Sequence, residues 1–324
     1  MNDFNQILLD VHPEFTDLEA VDRAAALASK TKADVKVVHV VEDYPEDMSE
    51  WWNVRNPLKL YNRIVGERQR YVDGIAQRVK AAGVDHVDAE LRWGRDFLEI
   101  TREVLRNHQE LVVTTARRQG LLAGTRLGCV CVTGLCRYTP STVWVTRNRL
   151  TKRATGIVAT LDGANGEFKC ESLNAKILRT AANIAKAESS ELHVVHALSL
   201  PHGKDHNGQR PESGLAKYLS DLRGQITEAC NTVLGDIGIR LTEDRIHLPT
   251  GSATAAIPEF LDEKGLDLIV MGTQARDGIP GLLLGNTVEK VMTQVDCGVV
   301  VVKPDDFVSL VAREEGMGRR RTAA

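Results

Sequence analysis

An α/β fold of two tandem, doubly wound, five-stranded parallel sheets is predicted by three observations. First, the 324-residue chain is written twice: Val37-Val38-His39 returns as Val194-Val195-His196, always 157 positions on, and Ala28, Gly94, Ile100, Leu111, Gly124 and Gly128 return as Ala185, Gly251, Ile257, Leu268, Gly281 and Gly285. A repeat this long is a whole domain rather than a solenoid unit. Second, short apolar runs alternate with longer amphipathic stretches inside each copy, the mark of α/β architecture. Third, strands separated by helices of about ten or more residues must pair in parallel through right-handed crossovers, which gives a Rossmann-like sheet with ligands at strand C-terminal ends.

In the first copy the pattern predicts a strand over 6–10, a helix over 17–30 and a strand over 35–41. After a long connection it predicts a helix over 58–82, a strand over 86–92, a helix over 96–107 and strands over 111–115 and 142–146. The second copy repeats the order, with strands over 156–161, 191–197, 245–248, 268–271 and 298–303. Asp10 is aligned with Asp162, an offset of 152, so the second copy is expected to carry five extra residues after its first strand. Val143-Trp144-Val145 and Val299-Val300-Val301-Val302 are apolar on both faces and are expected to pair with each other, since such an edge left bare invites association. The boundaries fall at 1–149 and 150–305, with a basic tail over 306–324 that lacks a packing pattern and is expected to be disordered.

Halves of about 150 residues are ordinary domain size. A net charge of -3 and a pI near 6.3 supply no global attraction for nucleic acid or an anionic membrane surface. No stretch approaches the ~18 apolar residues of a membrane span, and Met1-Asn2-Asp3-Phe4-Asn5 carries no basic leader, so the cytoplasm is the expected compartment. Six irregularly spaced cysteines fit reduced thiols there.

The main chemical signal follows the fourth strand of the second copy, in the span from Met271-Gly272-Thr273-Gln274-Ala275 to Gly285-Asn286-Thr287. Glycines let backbone approach a ligand closely, and the free N–H groups of a helix starting at Asn286 and Thr287 suit a phosphate. The alternative is a glycine-rich turn with an Asn cap and no ligand.

This segment resembles the phosphate loop of the universal stress protein family: Gly, two residues, Gly, nine residues, then Gly followed by Ser, Thr or Asn. Gly272, Gly285 and Asn286 match it. The resemblance covers the whole chain, and the tandem layout with Val302-Lys303-Pro304 is most similar to the family's E-type tandem members. It implies an adenine nucleotide α-hydrolase-like fold and an intrachain pseudo-dimer through the last strand of each half. It further implies an ATP site in which Asp162 contacts the adenine side while Met271, Gly272, Ala275, Gly285, Asn286 and Thr287 line the ribose and phosphates. Ala275 departs from the family's second glycine, where a Cβ at positive φ would cost about 1 kcal/mol. In the first copy Thr115, Arg118 and Cys129 replace the loop's marker residues and only Gly128 survives. No nucleotide is expected there, and Asp10 is read as a turn or helix cap.

Other groupings point elsewhere. Cys129, Cys131 and Cys136 lack zinc-ligand spacing and are read as buried thiols, and no metal is expected. His193 and His196 lie on opposite faces of one strand, while His39 and His196 are equivalent framework residues. The connections at 42–57, which holds Trp51-Trp52, and at 198–213 are long enough to act as lids or partner surfaces. No serine elbow, Walker loop, dinucleotide fingerprint or zinc-protease motif is present, so catalysis is not expected. The reading is a stress-response regulator or scaffold with ATP in its second domain, unidentified protein partners and scope for higher homo-oligomers. The alternatives are a binder of an apolar or acyl molecule beneath the long loops, and an interaction platform without nucleotide.

Overall fold

The computed structural model describes residues 4–14, 18–42, 57–116, 130–147, 156–163, 173–198, 212–273 and 286–312. The first half runs β1 (Gln6–Asp10), α1 (Leu18–Thr31), β2 (Asp34–Val41), α2 (Pro57–Ala81), β3 (Val87–Trp93), α3 (Asp96–Asn107), β4 (Leu111–Thr115), α4 (Val130–Tyr138) and β5 (Thr142–Thr146). The second runs β6 (Gly156–Thr160), α5 (Leu173–Glu188), β7 (Glu191–Val195), α6 (Glu212–Leu234), β8 (Ile246–His247), α7 (Ala253–Lys264), β9 (Leu268–Gly272), α8 (Asn286–Gln294) and β10 (Gly298–Val302).

Each half is a parallel sheet whose order, β3-β2-β1-β4-β5 or β8-β7-β6-β9-β10, reverses direction between its first and fourth strands. The central strands β4 and β10 are buried at every residue, as expected of parallel strands covered by helices on both faces. One face packs Leu27, Trp144, Leu178 and Val302; the other packs Ile100, Leu135, Ile257 and Met292. Helix ends repeat as well. α3 stops at His108, in the left-handed region with φ 55° and its N–H on the Val104 carbonyl, and α7 stops at the equivalent Gly265, with φ 63° and its N–H on Leu261.

The halves join into one ten-stranded sheet through an antiparallel β5–β10 pair, as the apolar edges predicted. Val143 faces Val301 and Trp144 faces Val300. Because Val143 and Trp144 are the repeat equivalents of Val300 and Val301, the pairing is self-complementary, the form a two-fold dimer interface takes. Basic residues just past each last strand cross this seam to the last helix of the other half. Lys303 Nζ donates to the Cys136 carbonyl of α4, and Arg147 donates to the Met292 carbonyl of α8 at 3.1 Å, each placing a cation near a helix C-terminus where the dipole favours it. Arg23 of α1 grips Glu188 of α5 with two bonds, 2.6 and 2.8 Å, and lies 5.3 Å above the Trp144 ring.

Three expectations are corrected. Ile7 pairs with Leu111 just as Ile157 pairs with Leu268, so the strands β1 and β6 correspond at an offset of 150, not 152. Asp10 therefore matches Thr160, and the residue in the place of Asp162 is His12. The eighth strand is shorter than 245–248, because 243–245 form a 3-10 turn and only Ile246 and His247 join the ladder. Residues 306–312, read as the start of a disordered tail, pack against the body: Ser309 and Val311 are buried. Residues 313–324 lie outside the described residues.

Candidate functional site

In a doubly wound sheet the ligand crevice opens at the C-terminal ends of strands where the order reverses. In the second half this point lies between β6 and β9. Asp162 follows β6 and is exposed. Its backbone is clamped by Asn174 at the start of α5, whose side-chain oxygen accepts from the Asp162 N–H at 3.1 Å while its amide donates to the Asp162 carbonyl at 2.6 Å. One residue earlier the Leu161 carbonyl bonds to the ring of the buried His196 at 3.0 Å. The first half repeats this anchor, with His39 on the Val11 carbonyl at 2.9 Å. The two equivalent histidines thus hold the turn leaving the first strand, which gives the sequence's framework histidines a defined task.

Across the reversal, β9 ends at Gly272, with Met271 buried beneath. A side chain at Gly272 would crowd the core: a Cβ there would stand 2.6 Å from Ile177 Cδ1 and 2.9 Å from Leu173 Cδ2, and these side chains would have to shift. In the first half Thr115 occupies this position and the smaller Ala20 stands where Ile177 does, so volume is exchanged between strand and helix. Thr273 continues the backbone, its N–H bonding the Val302 carbonyl at 3.0 Å. α8 leaves the loop after β9 and returns to β10, so its first residues, Asn286 and the exposed Thr287, stand at the same rim as Asp162. Ala275 and Gly285 lie outside the described residues, as do the Trp51-Trp52 connection, most of the 198–213 connection and Cys129.

The first half's crevice has different chemistry. His12 stands where Asp162 does, with its ring edge-on to His39 at 5.0 Å between centroids. Asp10 is buried beneath it and accepts a bond from the Thr114 hydroxyl at 2.7 Å. Thr146 donates to the Thr114 carbonyl at 3.1 Å and to the Thr115 hydroxyl at 3.2 Å. Asp10 is therefore tied to the neighbouring strand β4. Cys136 is a buried thiol pushed by burial up to about 12, an inert state.

Sequence reasoning missed a second polar site at the outer edge of each half. In the first, Glu103 of α3 is fully buried and accepts from Lys36 at 2.5 Å, from Asn107 at 2.5 Å and from Arg92, while Glu90 also meets Lys36 at 2.7 Å. Burial pulls the Lys36 amine down, but the bonds to Glu103 and Glu90 outweigh it and leave it above its ordinary value. In the second half the equivalents of Lys36, Glu90 and Glu103 are His193, His247 and Phe260. His193 and His247 bond at 3.0 Å, and His247 packs on the Phe260 ring at 4.6 Å. The repeat offset itself was the available signal.

Two Rossmann-like α/β domains, joined antiparallel through their last strands and each reversing its strand order between its first and fourth strands, define the class of the molecule. The chain belongs to the universal stress protein family, whose model matches residues 4–147 and again 171–303. Over 318 residues it is similar to "Universal stress protein E" of Escherichia coli (strain K12), at 24% identity, covering 96% of this chain and 98% of that protein. Its fold is shared with a functionally unknown protein from Pseudomonas aeruginosa PAO1, with a TM-score of 0.69 and 23% identity over 98% of both chains. A universal stress protein from Archaeoglobus fulgidus aligns with a TM-score of 0.60 and 17% identity, over 93% of this chain and 97% of the other.

Proposed function

We propose that this tandem universal stress protein is a cytoplasmic stress-response regulator or scaffold whose second domain, over about residues 150–305, takes up an adenine nucleotide as a conformational signal. The observation that carries the reading is the shared rim of Asp162, Gly272 and the N-terminus of α8 at the strand reversal, set against a first half in which His12 and Thr115 stand at the corresponding positions. In this reading Asp162 accepts from the base or ribose, and the N–H groups at Asn286 and Thr287 receive phosphate oxygens with Gly285 allowing close approach. Met271 lies beneath Gly272, and in this reading the methyl group of Ala275, where the family has a glycine, would crowd a bound phosphate.

Calorimetric titration of ATP into the wild type and into Gly285→Trp tests it. Binding by the wild type that the variant loses supports a nucleotide signal in the second domain. No heat from the wild type overturns it and leaves a protein-interaction platform in which the glycine loop is structural.

A further inference from the structure

We propose that the His193–His247 pair is an acid-sensitive latch that fastens the outer edge of the second half, releasing β8 and the start of α7 from β7 when the pH falls, while the first half stays closed. The argument begins with hydrogen-bond polarity. Arg245 Nη1 lies 3.2 Å from His193 Nε2 and, as a donor only, requires a lone pair there. A neutral His193 then carries its proton on Nδ1 and donates it across 3.0 Å to His247 Nε2. The chain Arg245 to His193 to His247 closes only while both rings are neutral. A proton added at either acceptor nitrogen sets two N–H groups against each other.

The surroundings favour that neutral state. His193 is lowered from its ordinary value by burial and by Arg245, against the pull of Glu191 and Asp244. Burial, His193, Lys264, Arg223 and Arg245 push His247 down to about 4. Glu191, held by Arg245 and 3.6 Å from His193 Nε2, is the group a protonated His193 would turn to, drawing it away from His247. Besides the ring pair, the edge is held by the Arg245–Glu191 ion pair and by three backbone bonds, from the His196 N–H to the His247 carbonyl at 3.0 Å, from Leu198 to Pro249 at 2.9 Å and from Gly251 to Leu198 at 2.9 Å. β8 contributes two ladder positions, Val194 with Ile246 and Val195 with His247, followed by the single bridge of Leu198 with Thr250. In the first half the edge strand β3 pairs over seven positions, and Glu103 ties α3 to Lys36 and Arg92 with no histidine in the cluster.

Hydrogen exchange of the full chain, corrected for intrinsic rates, is measured on segments 243–260 and 86–104 between pH 7 and pH 4.5. Both histidines are depressed below their ordinary value, so the stability they lend is complete above about pH 6.5 and is lost as the pH falls towards the folded-state values. The expected result is a loss of protection of more than about tenfold in 243–260, with 86–104 unchanged over the same range. Equal loss in both segments, or no loss in 243–260, overturns the latch. His247→Gln keeps an acceptor for His193 without titrating and should shrink the acid-induced loss. Should that variant fold poorly, imidazole 15N shifts of the wild type decide: His247 titrating near its ordinary value of 6.5 overturns the proposal, and a neutral His247 at pH 5.5 supports it.

Discussion

The space beside Gly272 belongs to Ile177: a side chain added to the glycine would meet the Ile177 Cδ1 at 2.6 Å. The first marker residue of the phosphate-loop pattern therefore also fits the packing of helix α5 against β9. In the first half Thr115 and Ala20 make the opposite exchange. Gly134 and Phe97 give the same kind of pair on the other face, since a Cβ on Gly134 would stand 2.6 Å from the Phe97 ring, and Val291 and Thr254 occupy those places in the second half.

Gly272→Thr is expected to cost about 1–3 kcal/mol by overpacking. Ile177→Ala, costly alone, should cost markedly less in the Gly272→Thr background, with a coupling of about 1 kcal/mol or more in a double-mutant cycle read by urea unfolding. Additive losses would show that the two residues do not share this space.

Asp162→Ala should weaken ATP about tenfold or more by calorimetry while leaving the unfolding midpoint unchanged. Under the proposed reading the first effect would be the loss of a charge-assisted bond, and the second follows from the exposure of Asp162. His12→Asp in the first half should create no comparable binding. Equal ATP affinity in wild type and Asp162→Ala would remove this carboxylate from the site.

Glu103→Ala strands Lys36 and Arg92 beside a buried vacancy, with an expected loss of about 3–5 kcal/mol in chemical denaturation. Importing the other half's solution as Lys36→His, Glu90→His and Glu103→Phe together should lose less than Glu103→Phe alone. If the triple variant is the weaker, the two edge clusters are not interchangeable.

Lys303 is buried and its amine is lowered by burial to about 8, against an ordinary value of 10.5, with the Phe307 ring 4.8 Å away. The unfolded chain then binds more protons than the folded one between these values, so this group makes stability rise from about pH 8 towards 10.5. The unfolding free energy of the wild type should rise relative to that of Lys303→Met across this window. A constant difference across the window would mean that the amine does not titrate there.

Much of this was legible in the chain. The repeat offset over most of its length, the strand and helix order and the pairing of the two last strands all follow from apolar periodicity and glycine placement. The equivalence of Asp10 with Asp162 failed for a definite reason: sliding a strand by two residues preserves which side chains face each way, so alternation cannot separate an offset of 150 from 152. The ladder partners Leu111 and Leu268, with the histidine anchors on Val11 and Leu161, settle it. The role of Gly272 was hidden because its cause lies in Ile177, nearly a hundred positions away. His193 and His247 meet across neighbouring strands; the strand over 245–248 was legible, but which of its residues faces His193 depends on the register of a ladder only two residues long.

The antiparallel seam carries a consequence for how the two domains diverged. In a dimer of identical chains every residue serves both sides of the axis, so Arg23 would have to face whatever stands at the position of Thr31. Joined in one polypeptide, the partner position is free to be Glu188, while Thr180 stands where a second Arg23 would be. Covalent linkage also removes dilution as a route to separation, because the partner is always supplied at a fixed effective concentration. The seam can therefore hold one-of-a-kind contacts, and each crevice, facing the opposite rim of the sheet, can change its chemistry without the other having to follow.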